Sequence, residues 1–216
     1  MRLSFIPIPA LIVIIAGLYA IVNPSSSYEP ARLLPVTNTI FVTVVLFIVS
    51  YIAIRNYKAT GRIQILLLGC GVLAFGIGGI VAGLVRSFPG AGANLNVTIY
   101  NTGALIGGIF HFVAACILLA GISPEMGSKR KEYWLKFAYV GLIVFLGLFT
   151  MANLKGLIPL FFIQGVGPTL LRQWVLGSAD ILFAFSFIIF MGSYLRKREV
   201  FLRLYASLVL APLKAV

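Results

Sequence analysis

The chain has 216 residues, of which 61% are hydrophobic and 10% are charged, and its mean hydropathy is +1.07. These values exclude an ordinary soluble domain and predict an integral membrane protein. In a soluble protein the formal net charge of +12 would suggest nucleic-acid binding, but here the basic residues fall in short segments between long apolar runs. That pattern is typical of membrane topology, so nucleic acid is not an expected partner.

Seven apolar runs follow one another along the chain. They predict membrane-spanning helices at about residues 5–22, 36–54, 63–85, 98–122, 137–152, 170–195 and 204–216. Since no run alternates like an outer-membrane barrel strand, the predicted fold is an all-α polytopic bundle that forms one transmembrane domain over residues 1–216. The last run has thirteen residues, whereas a crossing helix needs roughly 20. We therefore expect either a piece of a longer protein or an unusually short final helix.

Lysine and arginine are distributed unevenly between the two sets of loops. Twelve of the seventeen lie at the N-terminus or after the second, fourth and sixth spans: Arg2, Arg55, Lys58, Arg62, Lys129, Arg130, Lys131, Lys136, Arg196, Lys197, Arg198 and Arg203. Four lie in the opposite loops: Arg32, Arg86, Lys155 and Arg172. Because short cytoplasmic loops carry the excess of basic residues, the N-terminus is predicted to be cytoplasmic and the loop before the sixth span to face outward.

Glycine is frequent in the third predicted span. Gly79 and Gly83 have the small-xxx-small spacing that lets two helix backbones approach closely. We therefore predict that these two residues contribute to helix packing, either inside the bundle or against a partner chain.

The segment 161–173, with the sequence FFIQGVGPTLLRQ, separates the fifth and sixth spans. Its glycines and proline interrupt a helix, while Thr169 is a favourable N-cap for the helix that follows. A helix N-terminus beside the Arg172 guanidinium can hold an anionic or carbonyl-bearing ligand. The alternative is a plain connector at the membrane surface. The predicted ligand-binding residues are Gln164, Thr169, Arg172 and Gln173 of this segment, and Tyr100 and Asn101 at the outer end of the fourth span.

Two ionisable residues lie near the middle of predicted spans, His111 in the fourth and Asp180 in the sixth. Each costs about 2.5 to 3.5 kcal/mol on insertion and therefore requires a partner. If the two spans are neighbours, a His111–Asp180 hydrogen bond would form a proton-responsive pair. The alternative is that each residue finds its own Ser, Thr or backbone partner. Arg172 and Asp180 are eight residues apart and share one face of the sixth span.

Signatures of enzymes and metal proteins are missing from the sequence. A single histidine argues against a haem bridged between helices, and there is no zinc-ligand spacing, phosphate-binding loop or nucleophile elbow. Cys70 and Cys116 lie inside apolar runs, where a thiol behaves as a small hydrophobe. We expect no catalytic residue, no metal and no cofactor.

The segment 161–173, followed by Asp180 and by the runs at 193–196 and 201–205, resembles the multi-span N-terminal region of certain prokaryotic sensor histidine kinases. The start of the fourth span at 96–101, with His111 further on, is similar as well. In those proteins a membrane-associated sensor module precedes PAS and kinase domains. The likeness covers residues 36–216, and its most specific part is the segment 161–173.

The resemblance implies a sensory input module in a prokaryotic plasma membrane. Such a module binds an extracellular or membrane-dissolved small molecule and passes helix motion to a cytoplasmic kinase or PAS domain, in the same longer chain or in a partner chain. A homodimer is compatible with this interpretation. The chain departs from the family pattern because it carries no ATP-binding region and no phospho-accepting histidine in a cytoplasmic segment. Kinase activity would therefore belong to another domain.

Two other classes of protein stay open from the sequence. One is a small secondary transporter or channel in which Asp180 and His111 form a proton relay. The other is a structural subunit of a membrane complex whose Gly79–Gly83 face contacts a partner chain.

Overall fold

The computed structural model describes residues 33–86, 92–121 and 128–197, so the predicted spans at 5–22 and 204–216 lie outside the described residues. The described residues form five helices and a minimal hairpin: α1 (Leu33–Thr60), α2 (Ile63–Val85), α3 (Gly92–Leu119), α4 (Ser128–Leu154), β1 (Phe162–Ile163), β2 (Gly167–Pro168) and α5 (Leu170–Lys197). This part of the chain is an all-α helical bundle, and its helices correspond to the second to sixth predicted spans. The chain divides into two compact units, Met1–Val36 and Thr37–Val216, and the packing described below belongs to the second.

Each of the five described helices contains a stretch that is long and apolar enough to cross a membrane. The stretches are Val42–Thr60, Ile63–Val85, Gly92–Leu119, Lys129–Leu154 and Leu170–Leu195. The shortest has 19 residues, which at about 1.5 Å per residue gives about 28 Å, close to the thickness of a bilayer's hydrocarbon core. Length and composition together support a membrane protein.

Helix α4 begins at Ser128, well before the predicted span at 137–152. The additional residues are mostly charged, and Lys, Arg and Glu are good helix formers. Within them Lys136 Nζ lies 2.9 Å from Glu132 Oε1, an ion pair at the (i, i+4) spacing that supports a helix. The helix therefore continues through the basic run, which a hydropathy criterion alone assigns to a loop.

Helix α2 lies at the centre of the described bundle. In its most apolar window 72% of the residues are buried, against at most 39% in the other helices. On one side it meets α1, where Ser50 Oγ donates to the carbonyl oxygen of Gly69 at 3.3 Å. The same hydroxyl lies 3.2 Å from Tyr139 Oη of α4. Helices α1, α2 and α4 also share one apolar cluster, which includes Tyr57 and Leu135.

On its other side, α2 runs antiparallel to α3 and touches it through glycine. A Cβ atom on Gly78 would lie 3.2 Å from the Cα of Gly103, and one on Gly107 would lie 3.1 Å from the carbonyl oxygen of Gly71. Both separations are shorter than ordinary van der Waals contact of a methyl group, so the two backbones lie against each other without intervening side chains. Close backbone approach of this kind is a common basis of helix association in membranes.

The glycine pair predicted to pack helices occupies different surroundings. A Cβ atom on Gly79 would lie 3.5 Å from Thr43 Oγ1 of α1, an ordinary contact, and Gly83 is exposed. Gly71 and Gly78 are seven residues apart and share the face toward α3, whereas Gly79 is rotated by about 100° from Gly78. The tight contact of the described bundle is therefore made by other glycines than this pair.

Helix α5 packs along α3 in the parallel direction. Ala104 and Ala179 belong to one buried cluster, and further along both helices the rings of His111 and Phe183 are 5.5 Å apart. We call the end of the bundle where α3 and α5 begin the hairpin end, because β1 and β2 lie there. The opposite end, where α2 and α4 begin, is called the basic end.

Candidate functional site

The interruption before α5 is a two-stranded hairpin. β1 and β2 are antiparallel, with Phe162 opposite Pro168 and Ile163 opposite Gly167. The N–H of Val166 donates to the carbonyl oxygen of Ile163 at 3.1 Å and closes the turn. Gly165 has a φ of +84°, a left-handed conformation that L side chains adopt only with strain. The glycines of the segment therefore allow the chain to reverse its direction in the hairpin.

Thr169 joins the hairpin to α5. Its N–H donates to the carbonyl oxygen of Phe161 at 3.0 Å, and its hydroxyl donates to the carbonyl oxygen of Leu160 at 2.9 Å. The Oγ1 atom also accepts the N–H of Arg172 at 3.4 Å, which is the N-cap geometry expected from the sequence. The N–H and the hydroxyl of Thr169 are thus both used in hydrogen bonds to the backbone, which orient the first turn of α5.

Asn94, in the first turn of α3, holds the hairpin in place. Its Oδ1 atom accepts the N–H groups of Phe161 and Phe162 at 2.8 and 3.0 Å, and the Thr98 hydroxyl at 3.4 Å. Asn96 ties the same turn to α2, since its Nδ2 donates to the carbonyl oxygen of Ala82 at 2.8 Å. Asn94 is not among the residues predicted from the sequence. A polar residue in the first turn of a helix, on the same side as an interrupted loop, is the signal that would have indicated it.

A cavity of about 300 Å³ lies beside the hairpin. It is lined by Arg86, Ala93, Asn96, Val97 and Phe162. Phe162 is its one contribution from the segment 161–173, and none of the six predicted ligand-binding residues lines it.

The six predicted ligand-binding residues have several environments. Gln164 and Gln173 are exposed, and Thr169 is used in the cap. Tyr100 packs against Phe75 of α2 with ring centroids 5.3 Å apart. The remaining two, Asn101 and Arg172, each carry a buried nitrogen, and these two nitrogens define the candidate site.

Three buried side-chain nitrogens in the described segments have no hydrogen-bond acceptor: Asn101 Nδ2, Asn153 Nδ2 and Arg172 Nε. All three lie toward the hairpin end, on α3, α4 and α5. Buried polar atoms without partners are rare and costly in native proteins. An amide group can turn to present either its oxygen or its nitrogen, but a guanidinium can only donate and stays charged. Arg172 therefore determines that the site requires an acceptor.

Asn101 and Arg172 lie on facing stripes of α3 and α5. The α3 stripe runs through Val97, Asn101, Ala104, Gly108 and His111, and the α5 stripe runs through Arg172, Leu176, Ala179, Phe183 and Ser186. Both stripes alternate steps of four and three residues, the spacing of a helix face in contact with a parallel neighbour. Asn101 lies one turn, and Arg172 two turns, from the Ala104–Ala179 contact toward the hairpin end.

The structure does not join His111 to Asp180. His111 Nδ1 lies 2.7 Å from the carbonyl oxygen of Gly107, one turn earlier in α3, and the imidazole N–H donates to it. The ring also contacts Gly71 and Phe183. Asp180 is half-buried and, among the described residues, takes part in no hydrogen bond or ion pair. The proton relay of the transporter interpretation is thus not assembled in this arrangement.

Direct packing between α3 and α5 leaves no open space between these two helices, which are the fourth and sixth predicted spans. A Cβ atom on Gly108 would lie 3.3 Å from the carbonyl oxygen of Ala179 and 3.3 Å from Leu182 Cβ. Further toward the basic end, Phe183 is buried in a cluster with Ala114 and Ala115. A cavity that reaches from Arg172 to the level of Asp180 is therefore incompatible with the described bundle, and the candidate site is restricted to the hairpin end.

No protein-family model matches the chain, and neither a curated protein nor a solved structure matches it.

Proposed function

We propose that the chain is the sensory input module of a membrane signalling protein, which binds an extracellular or membrane-dissolved ligand at the hairpin end. The observation that carries the proposal is the buried Nε of Arg172, which has no acceptor among the described residues. A ligand oxygen would satisfy it. The ligand class is an anion or a carbonyl compound.

The cost of the unpaired donors provides the energy for ligand binding. A buried donor without a partner costs about 1 to 3 kcal/mol, and a charged one costs more. A ligand that supplies the acceptor recovers this cost only in the packing that brings its oxygen against Arg172. Such differential binding shifts the equilibrium between two arrangements of the helices.

The interface between α3 and α5 is suited to such a shift. Around Gly108 and Ala179 the interface consists mainly of small residues and backbone, and a shift of α5 along α3 would move the Phe183 ring relative to His111. Ligand binding near Arg172 would displace α5 along its axis and change the position of its far end, near Lys197. A cytoplasmic kinase or PAS domain attached in the same chain or in a partner would receive this displacement.

A binding measurement with matched probes tests the ligand class. The purified chain in detergent is titrated with octanoate, an amphiphilic carboxylate, and with octyltrimethylammonium, an amphiphilic cation of similar length. We expect octanoate alone to raise the melting temperature of the wild type, and Arg172→Met to remove the increase. The exposed neighbour Gln173→Ala serves as the control and should respond like the wild type. Equal responses of wild type and Arg172→Met would exclude Arg172 from the site.

A fusion tests the signalling role separately. The cytoplasmic part of a histidine kinase with a transcriptional reporter is joined after Lys197, at the end of α5 on the predicted cytoplasmic side, and octanoate is added. A reporter response that depends on Arg172 but not on Gln173 supports an input module. Octanoate binding without any reporter response in the wild-type fusion contradicts the signalling role while leaving the binding site intact.

A further inference from the structure

The basic end of the bundle carries a second feature that the proposed ligand site does not use. Tyr133, Trp134 and Phe137 on α4 form an exposed aromatic group. The rings of Tyr133 and Phe137 are stacked with centroids 6.2 Å apart, and Trp134 meets both edge-on at 6.0 and 5.8 Å. Contact among the three rings keeps them together on the surface of the helix.

The orientation of this group follows from the buried residues of α4. Leu135, Leu142 and Leu146 face the bundle and belong to its apolar cluster. Tyr133 and Phe137 lie on the opposite face, with exposed fractions of 64% and 60%. The same outward face continues along α4 with Val140, Val144 and Leu148, which are also exposed. A lipid acyl chain that follows this face would run from the aromatic group toward the hairpin end.

Positive charge lies one turn beyond the aromatic group. Lys129 precedes Tyr133 by four residues and Arg130 precedes Trp134 by four, so both cations lie on the aromatic face at the start of α4. Within the described segments neither of them forms an ion pair, because Glu132 is paired with Lys136 at 2.9 Å.

A further cation comes from α1. Lys58 lies close enough to Glu132 to interact with its carboxylate electrostatically, and the adjacent Tyr57 shares a buried cluster with Leu135 of α4. The end of α1 and the start of α4 thus meet, and they bring Lys58, Lys129 and Arg130 to one end of the bundle.

We infer that this aromatic and basic surface binds the headgroup of an anionic phospholipid. Aromatic side chains prefer the boundary between hydrocarbon and headgroups, long cationic side chains extend from there toward phosphate, and the valines below contact the acyl chain. Each basic residue near an anionic membrane surface adds attraction, so Lys129 and Arg130, which form no ion pair with any described residue, distinguish an anionic headgroup from a zwitterionic one. The inference does not depend on the ligand proposed for the hairpin end.

Fluorescence of Trp134 tests the inference. Trp174→Phe leaves Trp134 as the one tryptophan of the chain, and this variant is reconstituted into vesicles that contain either brominated phosphatidylglycerol or brominated phosphatidylcholine. Because bromine quenches tryptophan on contact, the ratio of the two quenching constants gives the selectivity. We expect a preference of about fivefold to tenfold for phosphatidylglycerol, which decreases as salt is added.

Two double variants distinguish lipid binding at this surface from a general effect of the protein's positive charge. Lys129→Gln with Arg130→Gln should reduce the preference to less than about twofold. Arg86→Gln with Lys155→Gln removes the same charge at the hairpin end and should leave the preference unchanged. Equal effects of the two double variants, or no preference in the parent, would overturn the inference. Loss of the preference in excess inorganic phosphate at constant ionic strength would identify a soluble anion as the occupant and would overturn it as well.

Discussion

His111 and Gly71 are in direct contact, so that a Cβ atom added to Gly71 would overlap the imidazole of His111. The same Cβ atom would lie 3.0 Å from the carbonyl oxygen of Gly107, the group to which His111 donates. Three residues of α2 and α3 thus form one close-packed unit. Because Gly71 of α2 has no side chain, His111, the central polar residue of α3, can occupy the space beside it.

Substitution of Gly71 by alanine should destabilise the bundle, although alanine is the better helix former. The overlap with His111 and with a backbone carbonyl forces the two helices apart, and overpacking of this kind typically costs about 1 to 3 kcal/mol. Gly141→Ala is the matched control, because nothing lies within 4 Å of its Cβ position on α4. Thermal unfolding in detergent should give a lower melting temperature for Gly71→Ala and an unchanged or higher one for Gly141→Ala. Equal melting temperatures would contradict the close contact.

The contact also predicts that Gly71 and His111 are energetically coupled. His111→Ala alone removes a hydrogen bond and leaves a cavity, which should cost about 2 to 4 kcal/mol. In the Gly71→Ala, His111→Ala double variant the new methyl group occupies part of the vacated space. The loss of unfolding free energy in the double variant should therefore be smaller than the sum of the losses in the two single variants by about 1 kcal/mol or more. Additive effects in a double-mutant cycle would show that the two side chains do not compete for the same space.

Loss of the Asn94 side chain should loosen the hairpin while the helices remain. Asn94→Leu removes the oxygen that accepts the N–H groups of Phe161 and Phe162. Amide hydrogen exchange at these two positions should become faster by about tenfold, which corresponds to about 1.4 kcal/mol of lost protection. Asn94→Asp retains the acceptor and should keep both amides protected. If both amides exchange at wild-type rates in Asn94→Leu, the Asn94 side chain is not what holds the hairpin in place.

The helices were predictable from the sequence because a bilayer imposes long apolar runs and internal backbone hydrogen bonding. The restart of the chain at Thr169 was predictable as well, since cap and turn residues act through local geometry. Asn94 was not, because its partners at Phe161 and Phe162 are far away in the sequence and become neighbours only after α3 and the hairpin meet. The glycine contact shows the same limit, since a motif such as Gly79–Gly83 gives a spacing but does not identify the neighbouring helix. The seven spans and the orientation of the N-terminus stay predictions.

Replacement of Arg172 should make the unliganded chain more stable. Its Nε is buried without an acceptor, so Arg172→Met, which keeps the length and removes the charge, eliminates a desolvation cost of about 1 to 3 kcal/mol. Arg172→Lys keeps a positive charge and should not give this gain. The measurement is thermal unfolding in the absence of added ligands, with Gln173→Met as the control for an added apolar side chain. A residue whose side chain is determined by ligand binding rather than by folding is expected to lower the stability of the unliganded protein. A less stable Arg172→Met variant would instead assign Arg172 to the structure of α5 and remove the basis for a ligand at the hairpin end.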